Sequence, residues 1–187
     1  IDPKNHKAAY DEVNSLAEDN EFYLYFDNTQ SYYTSYNAEN NTPDMSDAMA
    51  QSYDPIKHNY QTKMYEKNVQ IDKLYRYTAP NYITWTISEE SKIIDGYHCI
   101  KANGIQTELS TNNKFKIEAW FAPEINYPIG PAKYGGLPGI IVYLTFGNIM
   151  VLKLEKIKFN DNSIDLDKIQ YEGEVLSNEK YIEYLKD

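Results

Sequence analysis

Cys99 and His98 are the residue types from which a nucleophilic site is built, a thiol and an imidazole, and they are neighbours in the chain. Their surroundings read as strand, and consecutive strand side chains point to opposite faces, so they cannot form a dyad with each other. A packed Cys99 is the better reading. His6 and His58 stand in polar contexts and would meet a nucleophile only through folding. Met45 and Met49, with His58 and Met64 downstream, supply the thioether and imidazole donors of a copper site. No standard ligand motif joins them, and methionines at helical spacing usually fill gaps. The run at 160–167 carries Asp161, Asp165 and Asp167, but it lacks the spaced ligands, glycine and terminal glutamate of a calcium loop. It reads as a solvated turn. Glu89, Glu90, Asp44 and Asp47 also read as solvated carboxylates. These residue types predict no catalytic set, no metal site and no cofactor.

The elements that must position these residues are mostly strands. Asp2 and Pro3 supply a helix start, and Ala9, Val13 and Leu16 fall on one face, which predicts a helix over the first twenty residues. From residue 22 the period changes to two: Phe22, Leu24 and Phe26 alternate with Tyr23 and Tyr25, and a second strand follows over 31–36. Residues 37–58 lose all pattern and read as a surface excursion, with a short turn of helix between Met45 and Met49. Strands are expected at 60–65 and 71–78. In the segment 82–87, Ile83, Trp85 and Ile87 should face the core. Asp95 and Gly96 between apolar runs predict a tight hairpin. Phe115, Ile117, Ala119 and Phe121 then oppose Lys116, Glu118 and Trp120. Residues 140–146 are almost continuously apolar, as in a strand covered on both faces. The chain returns over 149–159 after a turn at Gly147 and Asn148, and the tail at 176–185 is weakly helical. Together these predict one mainly β (α+β) domain over 1–187. The expected form is an antiparallel meander curved into an open sheet or half-barrel, with an N-terminal helix.

Composition sets limits on function. The 187 residues are enough for one domain with a proper core. The formal charge of −10 and a single arginine, Arg76, argue against a phosphate-backbone partner and against an anionic membrane surface. With only Cys99, no intramolecular disulfide can form. No run of about 18 apolar residues is present to span a membrane as a helix. The opening Ile1-Asp2-Pro3-Lys4 has no initiator methionine and is expected to be a processed or trimmed end. Tyrosine is the over-used aromatic, 19 residues against 6 phenylalanines, which suits a pleated surface with one solvated face.

The segment 123–138 stands apart. It gathers Pro123, Pro128, Pro131 and Pro138 with Gly130, Gly135 and Gly136, which makes a defined irregular loop rather than a floppy one. Its core, Gly136-Leu137-Pro138-Gly139-Ile140-Ile141, resembles the signature of the GLPGLI family of Bacteroidetes envelope proteins, with Ile140 in place of leucine. Three further matches keep the family's order: Trp85 with Ile87 before Lys92; residues 96–102, which fit the pattern G-Y-x-C-x-K-A; and Ala119-Trp120-Phe121 followed by Ile125, Gly130 and Pro131.

The resemblance covers roughly residues 82–146. It implies export to the periplasm or outer membrane, often in company with an outer-membrane transporter, and it implies no chemistry. The expected function is that of a non-enzymatic envelope protein that works with such a transporter or carries an apolar or peptide-like ligand. The ligand-binding residues expected are Tyr127, Tyr134, Gly136, Leu137 and Pro138, because fixed loops on a rigid sheet are where binding concentrates. The alternatives are a hydrolase or metal-dependent enzyme assembled from distant residues, and a structural envelope protein with a flat tyrosine-lined surface.

Overall fold

The computed structural model describes residues 21–35, 54–107, 111–147, 150–159 and 163–186. The helix expected over 1–20 and the turn between Met45 and Met49 lie outside the described residues.

Alternation of Phe22, Leu24 and Phe26 with tyrosines builds β1 (Phe22–Phe26), and β2 (Gln30–Ser35) pairs with it antiparallel. Asp27 makes the turn between them. Its Oδ1 accepts from the backbone N–H groups of Thr29 (2.6 Å) and Gln30 (2.9 Å), so the carboxylate folds the chain back locally. The meander continues through β3 (Ile56–Asn59), β4 (Met64–Gln70) and β5 (Leu74–Pro80). A second meander comprises β6 (Ile83–Ile94), β7 (Tyr97–Thr107), β8 (Lys114–Ala122), β9 (Ile140–Phe146) and β10 (Met150–Lys153). The tail adds a 3-10 turn (Leu166–Lys168), the two-residue β11 (Glu174–Val175) parallel to β5, and α1 (Asn178–Tyr184), capped by Ser177.

The fold is therefore mainly β, but it holds two sheets rather than one curved sheet, and neither closes into a barrel. The orders are β1-β2-β3-β4-β5-β11 and β10-β9-β8-β7-β6. The break falls after β5, where Pro80 has no N–H to extend a ladder and β11 occupies the other edge of β5. The two sheets share one core. Tyr33, Tyr65 and Tyr77 from the first meet Ala102, Ile117, Phe121 and Leu144 from the second. A smaller cluster on the other face of the second sheet contains Cys99, Trp120, Ile129, Ile140 and Val142. That second cluster is why β9 is buried on both faces, as its unbroken apolar run predicts.

Several local expectations need correction. Residues 60–63 form a turn, with Lys63 at φ +56° and the Thr62 N–H bonded to Asn59 Oδ1 at 2.9 Å. The strand expected at 60–65 therefore starts at Met64. Residues 56–59 belong to a segment whose sequence shows no pattern, yet they form β3, held by ladders on both sides. Ile87 is 49% exposed rather than core-facing. It pairs in register with the buried Ala102, but β6 is the edge strand of its sheet and its pairing with β7 breaks just after Ile87, between Ile87 and Ser91. Tyrosine is also deeper than a solvated face implies, because Tyr33, Tyr77 and Tyr134 are among the largest fully buried side chains. The hairpin at Asp95 and Gly96 forms where expected, with both residues at positive φ (+48° and +87°).

Candidate functional site

The proline- and glycine-rich loop is shaped by its own backbone. Ile129 N–H donates to Tyr127 O (2.8 Å), Tyr134 N–H to Pro131 O (2.9 Å) and Gly136 N–H to Pro128 O (2.8 Å). Gly130 sits so close to the Tyr134 carbonyl that a Cβ has no room. Ile140 and Ile141 then donate back to Ile125 and Ile129, which sews the loop to the start of β9.

The five residues expected to bind are not brought to a common surface. Tyr134 and Leu137 are buried in the shared core, at 0% and 1% exposure. Gly136 and Pro138 are exposed just before β9, and Gly136 adopts φ +88°. Tyr127 is half-buried, edge-on to Phe26 with ring centres 5.0 Å apart. The loop instead supports a different place. The Tyr134 hydroxyl donates to Gln106 Oε1 at 3.1 Å, and Asn81 Nδ2 donates to the Lys133 carbonyl at 2.7 Å.

Gln106, Asn81 and Lys133 all line a half-open cleft of about 360 Å³ at one end of the two sheets. Its position follows from the ladders. Gln106, at the end of β7, pairs with Phe115 at the start of β8, and Ile117 pairs with Phe146 at the end of β9. Phe115 and Phe146 thereby meet at 5.5 Å between ring centres. Tyr65 enters from β4, and Tyr181 and Leu185 enter from the tail helix and the residue beyond it. The helix is held by Tyr77, whose hydroxyl donates to Asn178 Oδ1 at 3.0 Å and whose ring lies 4.0 Å from that of Tyr181. Lys180 also contacts the Tyr75 hydroxyl.

Among the described residues, Lys133 is the cleft's one ionisable cation, with Nζ 5.9 Å from the centre of the Tyr65 ring, and no carboxylate lines it. Burial pushes the Tyr65 hydroxyl well above the ordinary tyrosine value, so it stays neutral. Because Gln106 Oε1 is engaged by Tyr134, the amide group left for the cleft is its NH₂, a donor. Alternation placed Phe115 on the core side but could not show that it lines an open cleft. Phe146 was legible only as the end of an apolar strand and Tyr181 only as part of a weakly helical tail, and nothing marked them or Gln106 as cleft residues, since each matters there only through register and packing.

The chemistry-bearing residues lie elsewhere. Cys99 is fully buried, its Sγ 3.5 Å from the Tyr97 carbonyl, and burial raises its thiol pKa. His58 is 3% exposed on the inner face of β3, opposite Ser31, with its ring against Tyr60. Burial lowers its pKa to about 4, and Nδ1 has no hydrogen-bond partner among the described residues. A neutral, enclosed imidazole is poor acid–base machinery at neutral pH. Glu90 pairs with Lys101 at 3.3 Å on the surface. Asp165 caps the 3-10 turn, and Asp167 accepts from Gln30 Nε2 at 2.7 Å, latching the tail to β2. Among the described residues no group of three or more His, Cys, Asp or Glu side chains is placed to hold a metal ion.

Comparison with known proteins adds three findings. A family model described as a protein of unknown function (Porph_ging) matches residues 104–143, a stretch that contains Ala119–Phe121 and the hexapeptide 136–141. No curated protein matches this chain. Two solved structures of PNGF-II are similar, each with a TM-score of 0.50. One, in space group P21, is 14% identical over 76% of this chain and 27% of its own; the other, in space group C2, is 13% identical over 74% and 25%. The chain thus spans about a quarter of the length of those structures, and identity at this level concerns fold alone. Over residues 104–143 the chain is similar to a family of unknown function, and over most of its length its fold is similar to a portion of PNGF-II.

Proposed function

We propose that this protein is a non-enzymatic binding domain of the bacterial cell envelope, exported to the periplasm or outer membrane, that holds an apolar or peptide-like ligand in the cleft bordered by Phe115, Phe146 and Lys133. The observation that carries the reading is the cleft itself: aromatic and aliphatic side chains mixed with a few polar groups, here Asn81, Gln106, Thr107 and Lys133, are the ordinary make-up of a small-molecule site. Membership of the GLPGLI family is part of the proposal and rests on the four ordered motifs between residues 82 and 146. Export, and action beside an outer-membrane transporter, follow from that membership. The hydrolase alternative draws no support from Cys99, which solvent does not reach, or from the enclosed His58.

The test is capture of the protein from its native envelope, followed by mass spectrometry of extracted small molecules and of stably associated proteins. A retained apolar molecule, displaced when Phe146 is replaced by serine, supports the reading. Empty, monomeric protein with hydrolytic activity toward ester or peptide substrates overturns it.

A further inference from the structure

We propose that β6 is an interaction edge whose partner is an extended polypeptide segment, which joins the second sheet as a further antiparallel strand along residues 83–87. The inference goes beyond the cleft and stands independently of what the cleft holds.

The hydrogen-bond register shows which way the β6 backbone faces. The Thr107 N–H donates to the Tyr82 carbonyl at 3.2 Å, and pairing runs unbroken from Ile83 with Gln106 to Ile87 with Ala102. In an antiparallel ladder, residues alternate between bonding to the neighbouring strand and pointing both backbone groups away from it. Tyr82, Thr84 and Thr86 therefore bond to β7, whereas Ile83, Trp85 and Ile87 each aim an N–H and a carbonyl out of the sheet. β6 ends the order β10-β9-β8-β7-β6, so among the described residues no strand receives those groups. Trp85 is anchored through Nε1 to the Gly135 carbonyl at 2.9 Å, which fixes the edge before any partner arrives and lowers the entropic cost of binding.

This edge is unlike the others. The end strands β1, β10 and β11 have five, four and two residues, and β6 has twelve. Edges are ordinarily blunted by shortness, by lysine or proline, or by a bulge. Residues 83–87, Ile-Thr-Trp-Thr-Ile, carry neither charge nor proline, and all of them are strand-favouring types. The guard on β6 is the break in its pairing between Ile87 and Ser91, which confines the usable edge to this run. Ile87, 49% exposed, leaves apolar surface at its end.

The edge dictates its occupant. Donors and acceptors alternating at strand spacing are matched by another extended backbone. Every pairing in this sheet is antiparallel, the more stable arrangement per residue, and the added strand continues it. Partner residues opposite Ile83, Trp85 and Ile87 share their face and call for apolar side chains. Those opposite Thr84 and Thr86, which are exposed, call for polar ones. The chain's charge of −10, with Glu89 and Glu90 just past the run, selects a neutral or basic segment and disfavours a second copy of this chain.

The test uses the full chain and the peptide acetyl-Lys-Val-Thr-Val-Thr-Val-Lys-amide, followed by calorimetry and NMR hydrogen exchange. At saturation, exchange at the Ile83, Trp85 and Ile87 amides should slow roughly tenfold or more, while Thr84 and Thr86, already bonded to β7, stay as they were. Methylating the nitrogen of the central valine, which faces β6, should abolish binding; methylating a threonine nitrogen, which faces away, should not. Ile87→Pro removes an outward N–H without breaking the ladder to β7, so it should weaken the peptide roughly tenfold with little change in Tm. Ile87→Lys keeps the backbone and places a guarding charge there, so it should weaken this basic peptide as well. Absence of binding, equal binding of the two methylated peptides, or protection that spares Ile83, Trp85 and Ile87 overturns the inference. Dimerisation of the protein through β6 that the peptide does not displace overturns it in favour of a second copy.

Discussion

The hydroxyl of Tyr134 donates to Oε1 of Gln106 at 3.1 Å, joining the proline- and glycine-rich loop to the far end of β7. Tyr134 is wholly buried, so its role is to set the orientation of a cleft side chain rather than to touch a ligand. Tyr134→Phe keeps the ring and removes this bond. It should cost about 1 kcal/mol of stability, the usual net worth of one such bond. A lower denaturant midpoint at constant m-value is the expected result. No change would mean that water replaces the hydroxyl without loss.

Trp85 ties the edge strand β6 to the same loop. Its Nε1 donates to the Gly135 carbonyl at 2.9 Å, and its ring covers Gly104 so closely that a Cβ there would stand 2.6 Å from Cζ3. Gly104→Ala must push the indole aside and lose that hydrogen bond. The expected cost is about 1–3 kcal/mol, the range for overpacking. In a Trp85→Leu background the same change should cost much less, because the two sites share one contact. Additive losses would place the strain elsewhere.

His58 makes stability depend on pH with a defined sign. Burial holds its folded pKa at about 4, below the unfolded value of 6.5, so the unfolded chain takes up a proton that the folded one refuses. The folded state is unpenalised above pH 6.5 and loses stability as pH falls from 6.5 toward 4. The full loss is on the order of 3 kcal/mol, because each tenfold drop in proton affinity on folding is worth about 1.4 kcal/mol. His58→Phe should flatten that part of the profile, measured as the difference in unfolding free energy between the two proteins from pH 7.5 to 4.5. Parallel profiles would show that His58 titrates normally in the folded protein.

Cys99 should be silent toward thiol reagents in the native state. It has no exposed surface and burial raises its pKa, so the reactive thiolate is both scarce and enclosed. With Ellman's reagent at pH 8, the native protein is expected to react roughly a thousandfold more slowly than the denatured chain, in line with rare opening of a stable domain. Rapid native reaction would reopen the case for a nucleophilic Cys99.

Much of the second sheet was legible from the residues in order. The period-two pattern of β7 and β8 and the positive-φ pair at Asp95 and Gly96 are local facts, and local sterics carry them into the structure. Short or irregular pieces were not legible. Ile56 and His58 are too few to display a period, and β3 exists because β2 and β4 pair with it from both sides. Ile87 obeys the alternation of its own strand and pairs with the buried Ala102, yet its exposure is an edge effect, because β6 ends the sheet and has no strand beyond it among the described residues.

The sequence by itself determined the β character of this chain, the rigidity of the loop at 123–138 and the strand alternation that carries Cys99 and His98 to opposite faces, because backbone dihedrals and side-chain alternation are set within a few residues. Only the tertiary structure decided that the strands divide into two sheets, that Tyr134 and Leu137 turn inward, and that Gln106, Phe115, Lys133 and Phe146 meet at one open end. Those outcomes depend on register between distant strands and on how the two sheets pack together. Such relationships are summed over the whole chain and are written in no single segment of it.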